Sequence, residues 1–208
     1  MSGYLRIRWT ITPGTAPRPL INCNRCGTVK PYRCSGKFRV NANGKRIDAW
    51  LIYRCVDCDN SWNFGILERC SRRDIEPARL AALESNDPGL ARRHAFDVIA
   101  LRSQVRRVEE FPDVAVCKDV LGGIQENAGA LELHLKAGVL TSLRLDRLLA
   151  CELGISRSRL QALEDKQRLA VHPDGIKALR KSAREGAVIR INLAAEPDRK
   201  DIISAAGG

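Results

Sequence analysis

The chain has 208 residues, of which 44% are hydrophobic and 28% charged, and a formal net charge of +11. That length allows one large domain or two small ones, and a single fold of this size buries about 70% of its unfolded surface. Eight cysteines are too sparse for a disulfide scaffold, no apolar run nears the ~20 residues of a membrane helix, and Met1 to Arg6 lack the apolar core of a signal peptide. These features point to a soluble protein of the cytoplasm, where thiols hold metal more often than they pair.

The charge is uneven. Residues 1–73 carry 14 Lys/Arg against 4 Asp/Glu, residues 74–140 carry 8 against 11, and residues 141–208 carry 13 against 9. Basic ends around an acidic middle suit a polyanion, with RNA the favoured partner and DNA a possible one. Nothing in the pattern suggests a membrane partner, and the oligomeric state is not legible in it.

Along the chain, Leu5, Ile7, Trp9 and Ile11 alternate with Tyr4, Arg6, Arg8 and Thr10, which predicts a half-buried strand. Pro13, Gly14, Pro17 and Pro19 break it. Two C-x-x-C pairs follow, Cys23/Cys26 and Cys55/Cys58, with 28 residues between them. Four thiolates at this spacing close a tetrahedral zinc site and leave no position for a catalytic water, so the metal is expected to be structural. Gly27 supplies the left-handed residue the first cysteine turn needs, and Asp59-Asn60 stand at the same place after the second. Neither pair opens a helix in a βαβ context, as a redox pair would. Cys34 and Cys70 flank the pairs and are not expected to be ligands. Between the pairs, Phe38–Ala42 and Ile47–Tyr53 flank Asn43-Gly44, a strong hairpin signal. Trp62-Asn63-Phe64 adds a third strand. Together these make a zinc ribbon, with Trp50, Tyr53, Trp62 and Phe64 filling its core. Arg6, Arg8, Arg33, Lys37, Arg39, Lys45 and Arg46 would form its basic face.

The middle reads as helical. Pro77 suits a first helical position, and Asp87-Pro88 cap and open a helix running to about Gln104, with Leu90, Ala91, Ala95, Val98 and Ile99 inward. His94 with Asp97 three residues on could form a ligand or acid/base pair, but the favoured reading is a surface or satisfied interior histidine. Gly122-Gly123 mark a break, and Leu131, Leu133 and Leu135 predict another strand with Glu132, His134 and Lys136 on its polar side. Farther on, Leu145, Leu148 and Leu149 recur at helical spacing up to Leu153-Gly154, with Cys151 on the apolar side. Ser156 caps a second helix, over about Arg157 to Lys166. Leu169-Ala170-Val171 and Val188–Ile191 read as strands around a His172-Pro173-Asp174-Gly175 turn.

Arg144-Leu145-Asp146-Arg147-Leu148-Leu149 followed by Gly154-Ile155-Ser156-Arg157-Ser158-Arg159 resembles the S4 RNA-binding domain. The resemblance spans about 50 residues, and Ala187 stands where that family usually has aspartate. It implies a two-helix surface for structured RNA, ribosomal or transfer RNA by analogy. Arg144, Arg157, Arg159, Lys166 and Arg168 would be its cationic contacts, and Asp146 a structural residue. The chain as a whole is similar to a bacterial domain-of-unknown-function family, number ten sixty-two. That resemblance rests on the paired cysteines and on Asn86-Asp87-Pro88-Gly89-Leu90-Ala91-Arg92-Arg93-His94-Ala95-Phe96-Asp97. It implies no activity.

The expected architecture is α+β. It comprises a zinc-ribbon β domain over 1–73, a helical or mixed middle over 74–140, and an S4-like module with a short tail over 141–208. Phosphate loop, nucleophile elbow, H-E-x-x-H and G-x-G-x-x-G are all missing from the sequence. A non-enzymatic RNA-binding protein is the expected function. The alternatives are a zinc-ribbon DNA regulator and a protein-interaction adaptor.

Overall fold

Leu5, Ile7, Trp9 and Ile11 are each at most 2% exposed in strand β1 (Tyr4–Pro13), so the period-two pattern sets the inward face directly. The computed structural model describes residues 3–123, 128–139, 143–173 and 177–208. The fold is α+β, in two compact units. One is made of residues 1–14 and 112–208; the other is residues 15–111. Among the described residues, no helix is long and apolar enough to cross a membrane.

The 15–111 unit contains β2 (Arg18–Cys23), β3 (Thr28–Asn43), β4 (Arg46–Cys55) and β5 (Ser61–Ser71). Helices α1 (Pro77–Glu84), α2 (Pro88–Ala95) and α3 (Val98–Gln104) follow, then β6 (Val108–Glu109). The strands form one antiparallel sheet in the order β5-β4-β3-β2-β6. The β3–β4 hairpin turns on Gly44-Lys45, because Asn43 pairs with Arg46. Its turn is one residue later than Asn43-Gly44. Gly44 alone takes a positive φ, of 61°, which suits a turn with glycine at the first central position. Tyr32, Leu51, Tyr53 and Phe64 pack with Leu83 and Leu101 from the helices into this unit's own core.

The helix expected from Asp87 to Gln104 is two helices. Asp87 caps α2 by accepting from Leu90 N (2.6 Å), and Asp97 caps α3 by accepting from Ala100 N (3.0 Å). A second capping carboxylate ends one helix and starts the next in a new direction. Leu90, Ala91 and Ala95 stay buried, whereas Ile99 is 78% exposed.

The other unit adds β7 (Val114–Gly122), β8 (Ala130–Ala137), α4 (Leu145–Leu153), α5 (Arg157–Asp165), β9 (Leu169–His172), β10 (Val188–Asn192) and α6 (Arg199–Gly207). Its sheet runs β7-β1-β8-β10-β9, with β1 parallel to β8 and the other pairs antiparallel. One face carries Leu5, Ile7, Leu131, Leu133, Ile189 and Ile191 into a core shared with the helices. Trp9 Nε1 donates to Ala206 O in α6 (2.9 Å).

This division differs from the boundaries expected at 73/74 and 140/141. Strand 4–11 pairs with β7 and β8, so Arg6 and Arg8 belong to this sheet and not to a basic face on the cysteine unit. The middle segment is shared: its helices and β6 pack with the cysteine unit, and its later strands β7 and β8 pair with β1. The tail is helix α6, which buries Ile202, Ile203 and Ala206. The expected turn after His172 lies partly outside the described residues.

Candidate metal centre and basic surfaces

Each C-x-x-C is the tight link between two antiparallel strands: β2 ends at Cys23 and β4 at Cys55. In both, the residue after the second cysteine donates back to the first cysteine's carbonyl, Gly27 N to Cys23 O (2.8 Å) and Asp59 N to Cys55 O (3.0 Å). Both residues are left-handed, with φ of 70° and 57°. Aspartate tolerates that region better than most side chains. The turns bring all four sulfurs within 4.8 Å of one another. Cys23 and Cys58 Sγ are 3.5 Å apart, Cys26 and Cys55 Sγ 3.9 Å. Sulfurs at the ~2.3 Å zinc bond length sit roughly 3.8 Å apart at the corners of a tetrahedron, so the donor set fits a divalent zinc ion.

Neighbours brace the cluster. The Tyr32 hydroxyl hydrogen-bonds the Cys23 sulfur, and Asn60 Nδ2 donates to the same atom (3.8 Å). Arg25 Nη1 donates to Cys58 O (3.2 Å), and Lys30 pairs with Asp57 (2.6 Å) and Arg33 with Asp59 (2.8 Å). The Tyr32 bond is the first cause that draws the Cys23 thiol down to about 5. Cys26 is pushed up to about 12, first by its hydrogen bond with Cys58 and then by burial. Four thiols this close cannot all ionise alone; a divalent cation removes that conflict and holds all four as thiolates. Cys34 and Cys70 stand outside the cluster. Cys151 is exposed on α4, whose buried side is Leu145, Asp146, Leu148, Leu149 and Leu153; the expected core position is corrected.

The five cationic residues of the C-terminal helices divide into two sets. Arg144 donates to both carboxylate oxygens of Asp146 (3.1 and 2.6 Å). Arg159 grips Glu196 and Asp198, and Arg168 binds Glu196 (2.7 Å) and Asn192 O (3.0 Å). Arg159 holds the carboxyls of Glu196 and Asp198 below their usual range. Arg157 and Lys166, at the two ends of α5, are exposed. The structure therefore brings Arg159 and Arg168 together on one carboxylate and leaves Arg157 and Lys166 facing solvent.

The model of the DUF1062 family, described as a protein of unknown function, matches residues 40–174. This chain belongs to that family. The DUF1062 match takes in Cys55 and Cys58, the Asn86–Asp97 segment and both helices α4 and α5. No curated protein and no solved structure matches the chain.

Tyr53 is edge-on to Trp62 (5.6 Å) and Phe64 (6.1 Å) inside the cysteine unit, whereas Trp50, expected in the same core, is half-buried on the other face of β4 under Arg39. His94 sits edge-on to Phe38 (6.2 Å), and burial pushes its pKa down. Asp97 is engaged as the α3 cap.

One cluster in this DUF1062 chain has no motif in the sequence. Glu132, 7% exposed, receives Arg190 Nε (2.7 Å), His134 Nε2 (2.9 Å) and Arg6 Nε (3.4 Å) on the sheet face opposite the helices. Arg190 first, then His134, hold its carboxyl low. The polar side of each strand was readable from its alternation. That these strands lie side by side was not.

Proposed function

We propose that this DUF1062 chain is a zinc-containing, non-enzymatic RNA-binding protein of the cytoplasm. In this reading residues 15–111 form a zinc ribbon around Cys23, Cys26, Cys55 and Cys58. Helices α4 and α5 with β9 and β10 form an S4-like module for structured RNA. The convergence of four sulfurs at tetrahedral spacing carries the zinc assignment. Four thiolates saturate the ion, so its chemistry is to hold two turns together and couple metal binding to folding.

The exposed pair Arg157 and Lys166 carries the RNA assignment, supported by an excess of positive charge in both units. Residues 15–111 hold 18 Lys/Arg against 11 Asp/Glu, and the remainder 17 against 13. Arg157 and Lys166 meet phosphates, while Arg144, Arg159 and Arg168 shape the surface through their carboxylate partners. Shape and phosphate contacts dominate recognition of folded RNA. The cations Lys30 and Arg33, beside the cysteine turns, are paired with Asp57 and Asp59, which favours the helix surface over a DNA-reading ribbon.

The test compares a structured RNA hairpin with duplex DNA of equal length across a salt series. RNA-preferring affinity that falls steeply with salt, and weakens about tenfold in Arg157→Ala/Lys166→Ala, supports the reading. Equal binding to both, or binding indifferent to the double variant, overturns it.

A further inference from the structure

The sheet of the 1–14 and 112–208 unit has one face under helices and one face open. Register fixes what the open face displays. Arg8, His134, Val188 and His172 stand side by side on β1, β8, β10 and β9. Arg6, Glu132, Arg190 and Ala170 form the next row. The first row puts an apolar floor, Val188, between two imidazoles. Strands lie ~4.8 Å apart, so the two histidine backbones are roughly 10 Å from each other, enough to seat one heteroaromatic base on the floor. A pocket of about 420 Å³ lies there, lined by Glu132, His134, Ala170, His172, Val188 and Arg190.

The second row supplies charge in fixed positions. Arg6 and Arg190 both turn Nε to Glu132, and their side chains are 63% and 57% exposed, so the outer guanidinium nitrogens are presented to solvent. Glu132 orients them and cancels one charge. Arg8 and Lys136 add two more cations on the same face, and Asp119, opposite Arg8 on β7, takes one away. The face keeps a net positive charge around an apolar, ring-flanked floor. Guanidinium forks suit phosphate oxygens, and rings over an apolar floor suit base stacking.

We infer that this open sheet face binds a single-stranded segment of RNA, with a base on Val188 between His134 and His172 and its phosphates on Arg6 and Arg190. The inference rests on the RNA reading above and deepens it. The hairpin's helical part meets α5, and an unpaired loop or end meets the sheet. Folded RNAs offer their bases for recognition at such unpaired positions.

The experiment measures binding of a fluorescent single-stranded RNA of about 10 nucleotides and of a fully paired RNA duplex to the full-length, metal-loaded protein. Two sheet-face variants are used: His172→Ala/Arg190→Ala, and Val188→Glu, which blocks the floor without removing any residue of the Glu132 cluster. Circular dichroism checks that each is folded. The expected result is a loss of single-strand affinity of about tenfold or more in both. The salt slope in the Arg190 variant should become shallower by about 0.7, one phosphate contact. Duplex binding should be unchanged in both and fall only in Arg157→Ala/Lys166→Ala. Wild-type single-strand affinity in folded Val188→Glu overturns the sheet-face site and leaves the helix reading standing. Failure of the unaltered protein to bind either RNA overturns both.

Discussion

Tyr32 is 1% exposed, and its hydroxyl bonds the sulfur of Cys23, the sulfur that also accepts from Asn60. Hydrogen bonds to a ligating thiolate spread its charge and fix its direction, and losing one typically costs ten- to a hundredfold in metal affinity. Tyr32→Phe keeps the ring in the core and removes only the donor. Zinc affinity measured against a colorimetric chelator should therefore fall about tenfold, with the far-ultraviolet spectrum of the loaded protein unchanged. Cys55→Ser, as a control, should fail to retain the ion. Equal affinity in Tyr32→Phe would mean the hydroxyl does nothing for the metal. The four cysteines themselves were legible because coordination demands soft donors in fixed pairs, and because Gly27 and Asp59 mark the left-handed turn after each pair. Tyr32 carries no such mark. It stands opposite Cys55 across the β3–β4 pair and so beside the cluster, which is a tertiary fact.

Most strands and helices follow from period and capping: β1, the β3–β4 hairpin, β8, α4 ended by left-handed Gly154, and α5 capped by Ser156. Failures have local causes. Asp97 looks like an interior helical residue until its carboxylate is seen capping α3. Helix α6 offers only Ile202, Ile203 and Ala206 as an apolar side, too short a pattern to declare itself. Arg159, expected as an RNA contact, clamps Glu196 and Asp198, which immediately precede α6, a contact that no sequence pattern marks. This clamp makes a pH prediction. Arg159 lowers both carboxyls from their ordinary values of 4.5 and 3.8. A group lowered in the folded state stabilises above its unfolded pKa, and that gain disappears as pH falls through the folded value. Arg159→Ala should therefore reduce Tm by roughly 2–4 °C at neutral pH, a modest loss because the pairs are partly solvated. The difference from the unaltered protein should close progressively below about pH 4. A gap in Tm that persists at pH 2 would assign the effect to lost packing of the arginine stem and not to charge.

Connectivity explains why the domain boundaries were hidden. A strand's alternation records which side is buried but not which strand lies beside it, so β1 was assigned to the cysteines that follow it. In the structure Pro13 faces Val114 across the β1–β7 pair, and Gly14 N donates to Asp113 O (3.1 Å). The 15–111 stretch thus leaves and re-enters the other unit at one antiparallel step, and each unit closes its own hydrophobic core. A segment attached at one step contributes no strand to the sheet it interrupts. The cysteine cluster, which could hold a metal ion, lies in the 15–111 unit. Trp9 lies in one core and Trp62 packs against the other, while Trp50 stands half-buried on the opposite face of β4 beside Arg39. A strong chelator should therefore shift the emission of Trp62 to the red while Trp9, hydrogen-bonded to Ala206, stays blue. Replacing residues 15–111 by a short Asn-Gly turn should leave a chain whose single tryptophan is still buried and which melts cooperatively. Trp9 emission at the wavelength of exposed indole in that shortened chain would mean that the sheet needs the inserted unit to fold. Retention of blue emission would establish that the cysteine unit is an independent, metal-dependent body carried on a hairpin of a self-sufficient sheet.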